Sequence, residues 1–365
     1  MCKAAYIHVP FCHHICAYCD FFRSIYNDSL ANRWLEAIQK EIKETIKKDL
    51  NTIYIGGGTP SALSAQQLRT LLECLKPYAK HCEEYTMEAN IESLDAEKLA
   101  IAHALGVNRV SLGVQTLQPS LLDLIHRKHR AQDIEKSIAM IHATGIHNIS
   151  IDLIYGLPSQ TLEMWQQDLK TIVDRFAIQH ISLYALTIEP HSEFGRKGVR
   201  NIDEDVEADM YDFAIKFLSE HGFEHYEISN FAKPGYASRH NQTYWRYDDF
   251  YGIGCGASGK QDHYRYDNTR NIATYLKEGA SPSKIVLSKE DEMFEMLMMS
   301  LRMKKGMDID TFNKRFDCDF KEVYKQPLKE AQKQGLLEIE GHVIRATTHG
   351  YYILNDVLIP FLPNS

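Results

Sequence analysis

Along the first half of the chain, short apolar runs alternate with longer segments in which apolar residues recur every three or four positions. The runs at 5–9, 52–55, 85–89, 109–114, 149–154 and 181–186 predict strands, and the intervening segments 30–48, 65–78, 96–105, 134–143 and 162–176 predict helices. In the first of these helices Leu30, Trp34, Leu35, Ile38, Ile42 and Ile46 fall on one face. Six β-α units in succession predict a parallel sheet covered by helices, either an open doubly wound sheet or a barrel, complete or partial.

The polar residues favour the barrel. A cysteine cluster follows the first strand, Gly56-Gly57-Gly58-Thr59-Pro60 follows the second, Glu88 ends the third, Gln115 follows the fourth, and Asp152 lies in the fifth. In a β/α barrel those ends meet at one mouth, where active sites are built. The fold class expected is therefore α/β, a partial (β/α)6 TIM-like barrel. A helix at 206–219 leads into a stretch rich in glycine and aromatic residues, 226–259, which reads as loops closing one side of the core. From Ser288 a capped helix, helices near 310–316 and 321–333 and a hairpin over 336–346 predict a small winged-helix-like α+β domain. The division expected is a core over 1–235, a connecting region over 236–284 and a C-terminal domain over 285–365.

Composition narrows the function. The chain has 365 residues, 44% hydrophobic and 25% charged, with 41 basic against 49 acidic residues and a net charge of -8. That balance excludes a general attraction for nucleic acid. The winged-helix-like segment has 11 basic and 13 acidic residues, so DNA binding is not expected there either. With no apolar stretch near the ~18 residues of a membrane span and no signal-peptide pattern, a cytoplasmic location is expected, with peripheral membrane contact left open. Of the eight cysteines, Cys12, Cys16 and Cys19 fall within eight positions. In a reducing compartment such a cluster points to metal or redox chemistry rather than to disulfides.

The spacing C-x3-C-x2-C can hold three irons of a four-iron cluster and leave the fourth open, or form a zinc site completed by His8, His13 or His14. The three glycines after the second strand let backbone groups approach a polar ligand, although a tight turn uses glycine in the same way. Glu88, Gln115 and Asp152 sit in or at the end of apolar strands. Burying such groups unpaired is costly, so a polar ligand is expected at this mouth.

The cysteine triad, with Tyr18 before its last member, resembles the signature of radical S-adenosylmethionine (radical SAM) proteins. That resemblance implies a [4Fe-4S] cluster on Cys12, Cys16 and Cys19 and S-adenosylmethionine bound at its open iron. The chain further resembles, over nearly its whole length, the anaerobic coproporphyrinogen III oxidase-like branch. On that likeness Gly57, Gly58, Thr59 and Glu88 would hold the amino group of the cofactor and Arg127 its carboxylate. Gln115 and Asp152 would take the ribose hydroxyls, Tyr6 and Tyr18 would line the adenosyl site, and Ala185 would lie beside it. The branch holds two activities: oxygen-independent coproporphyrinogen III dehydrogenase, which decarboxylates propionate side chains, and a heme-chaperone subgroup that passes heme to hemoproteins, membrane respiratory complexes being one class of recipient. Three features favour the chaperone. Only 11 residues precede Cys12, the dehydrogenase's further cysteine is replaced by Phe21, and residues 240–245 read H-N-x-x-Y-W. His240, Tyr244 and Trp245 are thereby candidates for heme contact. A hydrogen-bonded loop histidine and a packing tryptophan are the alternative. The methionines at 293, 296, 298, 299, 303 and 307 read as an adaptable core or a docking surface.

Overall fold

The computed structural model describes residues 2–363. Strands β1 (Ala4–Val9), β2 (Thr52–Gly57), β3 (Glu84–Asn90), β4 (Arg109–Gln115), β5 (Asn148–Tyr155) and β6 (His180–Ala185) lie side by side in chain order, all parallel. Each falls within two residues of its predicted run. Between them run α1 (Asp28–Thr45), α2 (Ala65–Leu75), α3 (Ala96–Ala104), α4 (Ala131–Ala143) and α5 (Leu162–Arg175). Their starts are set locally: Asn27 accepts from the Leu30 amide, and Ser64 and Gln67 form a reciprocal capping box. α1 then buries Trp34, Ile38 and Ile42 completely against the sheet.

Period-two alternation divides the strands into two faces of opposite character. One face, with Ile53, Ile55, Met87, Val110, Leu112, Ile149, Ile151, Ile181 and Leu183, is buried in the main core under the helices. The other is polar and turned into the lumen. There Tyr54 donates to Glu88 (2.8 Å), Ser111 to Asp152 (3.0 Å), and Ser150 and Tyr226 engage the two nitrogens of His180 (2.7 and 2.8 Å). A lumen filled by bonded polar groups gives the mouth a fixed floor.

The sheet continues past both ends of this series. After α6 (Glu204–Glu220), β7 (Glu224–Glu227) and β8 (Asn230–Ala232) extend it antiparallel beside β6, while β9 (Tyr251–Ile253) pairs parallel with β1. β7 and β9 are the two free edges, so the barrel is partial, as expected.

The stretch predicted as closing loops is more ordered than its composition suggests. It contains β8, β9 and α7 (Arg239–Trp245). Seven residues are too few to show a helical period, and the anchor of α7 is remote in sequence. The Glu84 carboxylate accepts from Ser238 Oγ (2.9 Å) and from the amides of Arg239 (2.8 Å) and His240 (3.0 Å). A buried anion thus sits at the helix N-terminus and ties α7 beneath β3.

The C-terminal unit has its own core around Leu297, Leu301, Phe312, Phe320 and Ile344. It opens with α8 (Lys289–Ser300), capped by Ser288 with Asp291, and continues through helices Ile309–Phe316, Phe320–Val323 and Lys325–Lys333 to the hairpin Leu337–Glu340 and Val343–Ala346. Helices followed by a wing-like hairpin match the winged-helix-like expectation. No helix among the described residues is long and apolar enough to cross a membrane.

Candidate functional site

The cysteine loop after β1 folds over the C-terminal ends of the strands and encloses a cavity of about 360 Å³. Its wall brings together Cys12, Cys16, Tyr18, Cys19, Gly57, Gly58, Thr59, Glu88, Gln115, Arg127, Asp152 and Ala185, every residue the sequence assigned to cluster and cofactor except Tyr6. All three cysteines are free thiols. Cys12 Sγ lies 3.5 Å from Thr59 Oγ1, and burial pushes its pKa up to about 11. Ligation to a metal stabilises the thiolate that burial disfavours. Among the described residues no group of three or more His, Cys, Asp or Glu side chains is arranged to hold a metal ion. Of the zinc alternatives, His8 has both ring nitrogens engaged, by the Tyr6 hydroxyl (3.0 Å) and the Phe22 carbonyl (2.8 Å). The three thiols share the wall of one roomy cavity with His14 and with the oxygens of Thr59, Glu88 and Asp152, which leaves room for a cluster with an open face.

The glycines are there for space. A Cβ on Gly56 would lie 2.7 Å from the Glu88 carboxyl, and one on Gly58 would lie 2.8 Å from the Phe11 backbone. Gly57 has φ +106° and passes directly over the His8 ring. This packing delivers the Gly57 amide to Glu88 Oε2 at 3.1 Å. Desolvation first, and the Asp152 charge second, raise the pKa of Glu88 to about 7. Burial likewise raises Asp152. Two carboxylates held against ionisation fit a ligand that brings an ammonium and hydroxyl groups. Gln115 is a further mark of a built site. Its φ is +65°, at an irregularity in the β4–β5 register, where the backbone leaves the ladder and turns the side chain into the mouth.

Glu88 yields a pH prediction. Its folded pKa lies above the usual carboxylate value, so below about pH 7 it is protonated and a cationic amine gains less from it. S-adenosylmethionine affinity is expected to rise from pH 5.5 to 7 by up to about tenfold and then level off, with a proton released on binding at the acid end. Calorimetry in buffers of different ionisation enthalpy measures both, and Glu88→Gln is expected to flatten the profile.

Arg127 lines the cavity but is largely committed elsewhere. It donates to Glu92 (3.1 Å), the Asn90 side chain (2.9 Å) and the Gly113 carbonyl (2.7 Å). Its geometry is that of a brace between the ends of β3 and β4. The sequence missed Asn90, Ser111 and Tyr184, which share the wall. Strand alternation could have found them, since Asn90 stands two residues from Glu88 and Ser111 four from Gln115 on the same faces.

A second cavity, about 840 Å³, adjoins the first, and the segment holding Tyr18, Cys19 and Phe21 lines both. Tyr6 lines this larger space rather than the cofactor cavity, with its hydroxyl bonded to His8 Nδ1 and its ring against Tyr54. Of the heme candidates, Tyr244 and Trp245 line the cavity and His240 does not. His240 is set back from this cavity. It is fully buried, stacked on Tyr54 at 5.3 Å, with its ring nitrogens bonded to Thr52 Oγ1 (2.9 Å) and to the Tyr244 hydroxyl (2.7 Å). His240 plugs the lower lumen and positions Tyr244.

A parallel partial barrel with a cysteine triad at its mouth defines a radical SAM protein, and the Radical SAM superfamily profile matches residues 6–172. The HemN C-terminal domain profile matches residues 287–353. The chain is 39% identical to the heme chaperone HemW of Lactococcus lactis over 99% of its length and 97% of the relative's. It is 36% identical to the heme chaperone HemW of Bacillus subtilis over 99% of both. It belongs to the HemW family. Among solved structures it superposes on the Escherichia coli coproporphyrinogen III oxidase HemN with a TM-score of 0.86, at 21% identity, over 98% of this chain and 90% of that one. That likeness carries the fold.

Proposed function

We propose that this protein is a heme chaperone that binds a [4Fe-4S] cluster, S-adenosylmethionine and heme and delivers the heme to hemoproteins. The observation that carries the reading is the pair of adjoining cavities. The smaller holds three free thiols and buried carboxylates, while the larger is mainly apolar, is flanked by Tyr244 and Trp245, and has the size for a porphyrin. Cys12, Cys16 and Cys19 would hold the cluster; Glu88, Asp152 and Gln115 would hold the cofactor; Arg127 would brace them. When bound, the cluster and cofactor together supply one-electron chemistry. Arg270, exposed at the rim of the larger cavity and without an ion-pair partner among the described residues, would meet a propionate. Recipients set in a membrane, respiratory complexes among them, would be reached by peripheral contact.

The dehydrogenase reading is less well supported, because the dehydrogenase's extra cysteine position is Phe21, a residue 67% exposed between the two cavities. The test is a paired assay on one anaerobically reconstituted sample. Hemin is expected to bind stoichiometrically, and coproporphyrinogen III with S-adenosylmethionine is expected to lose no carbon dioxide. Multiple-turnover decarboxylation would reverse the assignment.

A further inference from the structure

Iron porphyrins in proteins take an axial donor from His, Cys, Met or Tyr side chains. Most such side chains around the larger cavity are committed. His8 is engaged at both nitrogens, and Cys19 belongs to the cysteine triad. The Tyr244 hydroxyl is held by His240, Tyr247 donates to Glu295 at 2.6 Å, and Tyr266 bonds the Gly252 backbone. A tyrosine ligand must also lose its proton, and burial raises the pKa of these phenols, as it does for Tyr6 and Tyr18.

What remains is Met298 and Met299, adjacent on α8, half-buried in the cavity wall beside Glu295. Their sulfurs have no hydrogen-bond partner among the described residues. A thioether is neutral, needs no deprotonation and suits an apolar cavity. Resting on the heme reading above, we propose that the heme iron takes a thioether of the Met298–Met299 pair as an axial ligand, so that a helix of the C-terminal unit grips the metal. The HNQTYW segment then packs the porphyrin instead of ligating it. Because α8 belongs to a unit with its own core, the grip is carried by a different body from the one that holds the cysteine triad. A soft thioether also favours ferrous over ferric iron and raises the heme potential.

Hemin added to the full-length, cluster-loaded protein tests this by near-infrared magnetic circular dichroism, which reads ferric heme beneath the cluster's visible absorption. The wild type is expected to show a thioether-to-iron charge-transfer band. The double variant Met298→Leu/Met299→Leu, nearly volume-conserving, is expected to lose that band, to bind hemin about tenfold more weakly and to show a lower heme potential. Met298→His and Met299→His singly give a second reading, at least one converting the spectrum to that of nitrogen ligation. A wild type that binds hemin without the band, a band that survives in the double variant, or no spectral change in either histidine variant overturns the proposal. Failure of the wild type to bind hemin at all overturns the chaperone reading and this inference with it.

Discussion

Replacing Cys12, Cys16 and Cys19 together by alanine is expected to take bound iron and inorganic sulfide from about four of each per chain to none. Three thiolates are the smallest set that holds such a cluster with one iron open, so each single replacement should already remove most of it. The loop from Cys16 to Cys19 is not part of the sheet, and α1 and the strands keep their own packing without it. Far-ultraviolet circular dichroism should therefore change little, while the melting transition falls by the stabilisation that cluster binding to the folded chain supplies. The control is Cys74→Ala with Cys318→Ala, two thiols outside both cavities whose loss should leave the iron content intact. Iron and acid-labile sulfide assays on anaerobically prepared protein measure the outcome. Stoichiometric zinc in place of iron, or iron retained in the triple variant, would mean that the triad is not a cluster site.

The second large effect concerns stability rather than loading. Arg127→Met is expected to destabilise the protein by about 3 kcal/mol, because it removes the buried guanidinium of a part-buried ionic network and leaves the Glu92 carboxylate short of a partner. Arg127 is 5% exposed and Glu92 is held by Arg127 and by His129 Nδ1 (3.1 Å). Burial opposes ionisation of Glu92, but the His129 hydrogen bond and the Arg127 charge outweigh it and hold its carboxyl well below the usual range. The residual bond to His129 and the one-quarter exposure of Glu92 place the loss at the lower end of what such breaks produce. The same variant should weaken S-adenosylmethionine binding, since Asn90 and the Gly113 carbonyl lose their brace at the cavity wall. Arg127→Met/Glu92→Leu is expected to recover much of the stability without recovering the binding, which separates the two roles by thermal melting and calorimetry. Linkage also has a sign here: a depressed carboxyl contributes stability above its unfolded pKa and loses it as pH falls through the folded value, so the wild type should be more acid-sensitive than the double variant.

Much of this architecture follows from residue order alone. Strand alternation in segments such as RVSLGVQ buries Val110, Leu112 and Val114 on one side and turns Arg109, Ser111 and Gln115 to the other, and any parallel series with that pattern must cover one face with helices. That the residues proposed for cluster and cofactor share one cavity was legible for the same reason. They lie at strand ends, and the topology of a β/α series carries every such end to one mouth.

Positions whose meaning depends on segments far apart were not legible. Tyr6 is on the first strand and by resemblance belongs with the adenosyl site, yet it lines the larger cavity instead. His240 stands in a motif that invites metal ligation, but the Glu84 carboxylate anchors its helix under the lumen, Tyr54 stacks on its ring, and Thr52 and Tyr244 engage its two ring nitrogens. Met298 and Met299 read as an adaptable core or a docking surface, and α8 carries them to a cavity that they share with Tyr244 and Trp245 of α7. Period, capping and spacing act over a few residues and are written in the chain, so strands, helices and the triad could be read from it. Which buried polar group finds which partner depends on closure of the whole sheet, and only the folded molecule decides whether a histidine is a ligand or a plug.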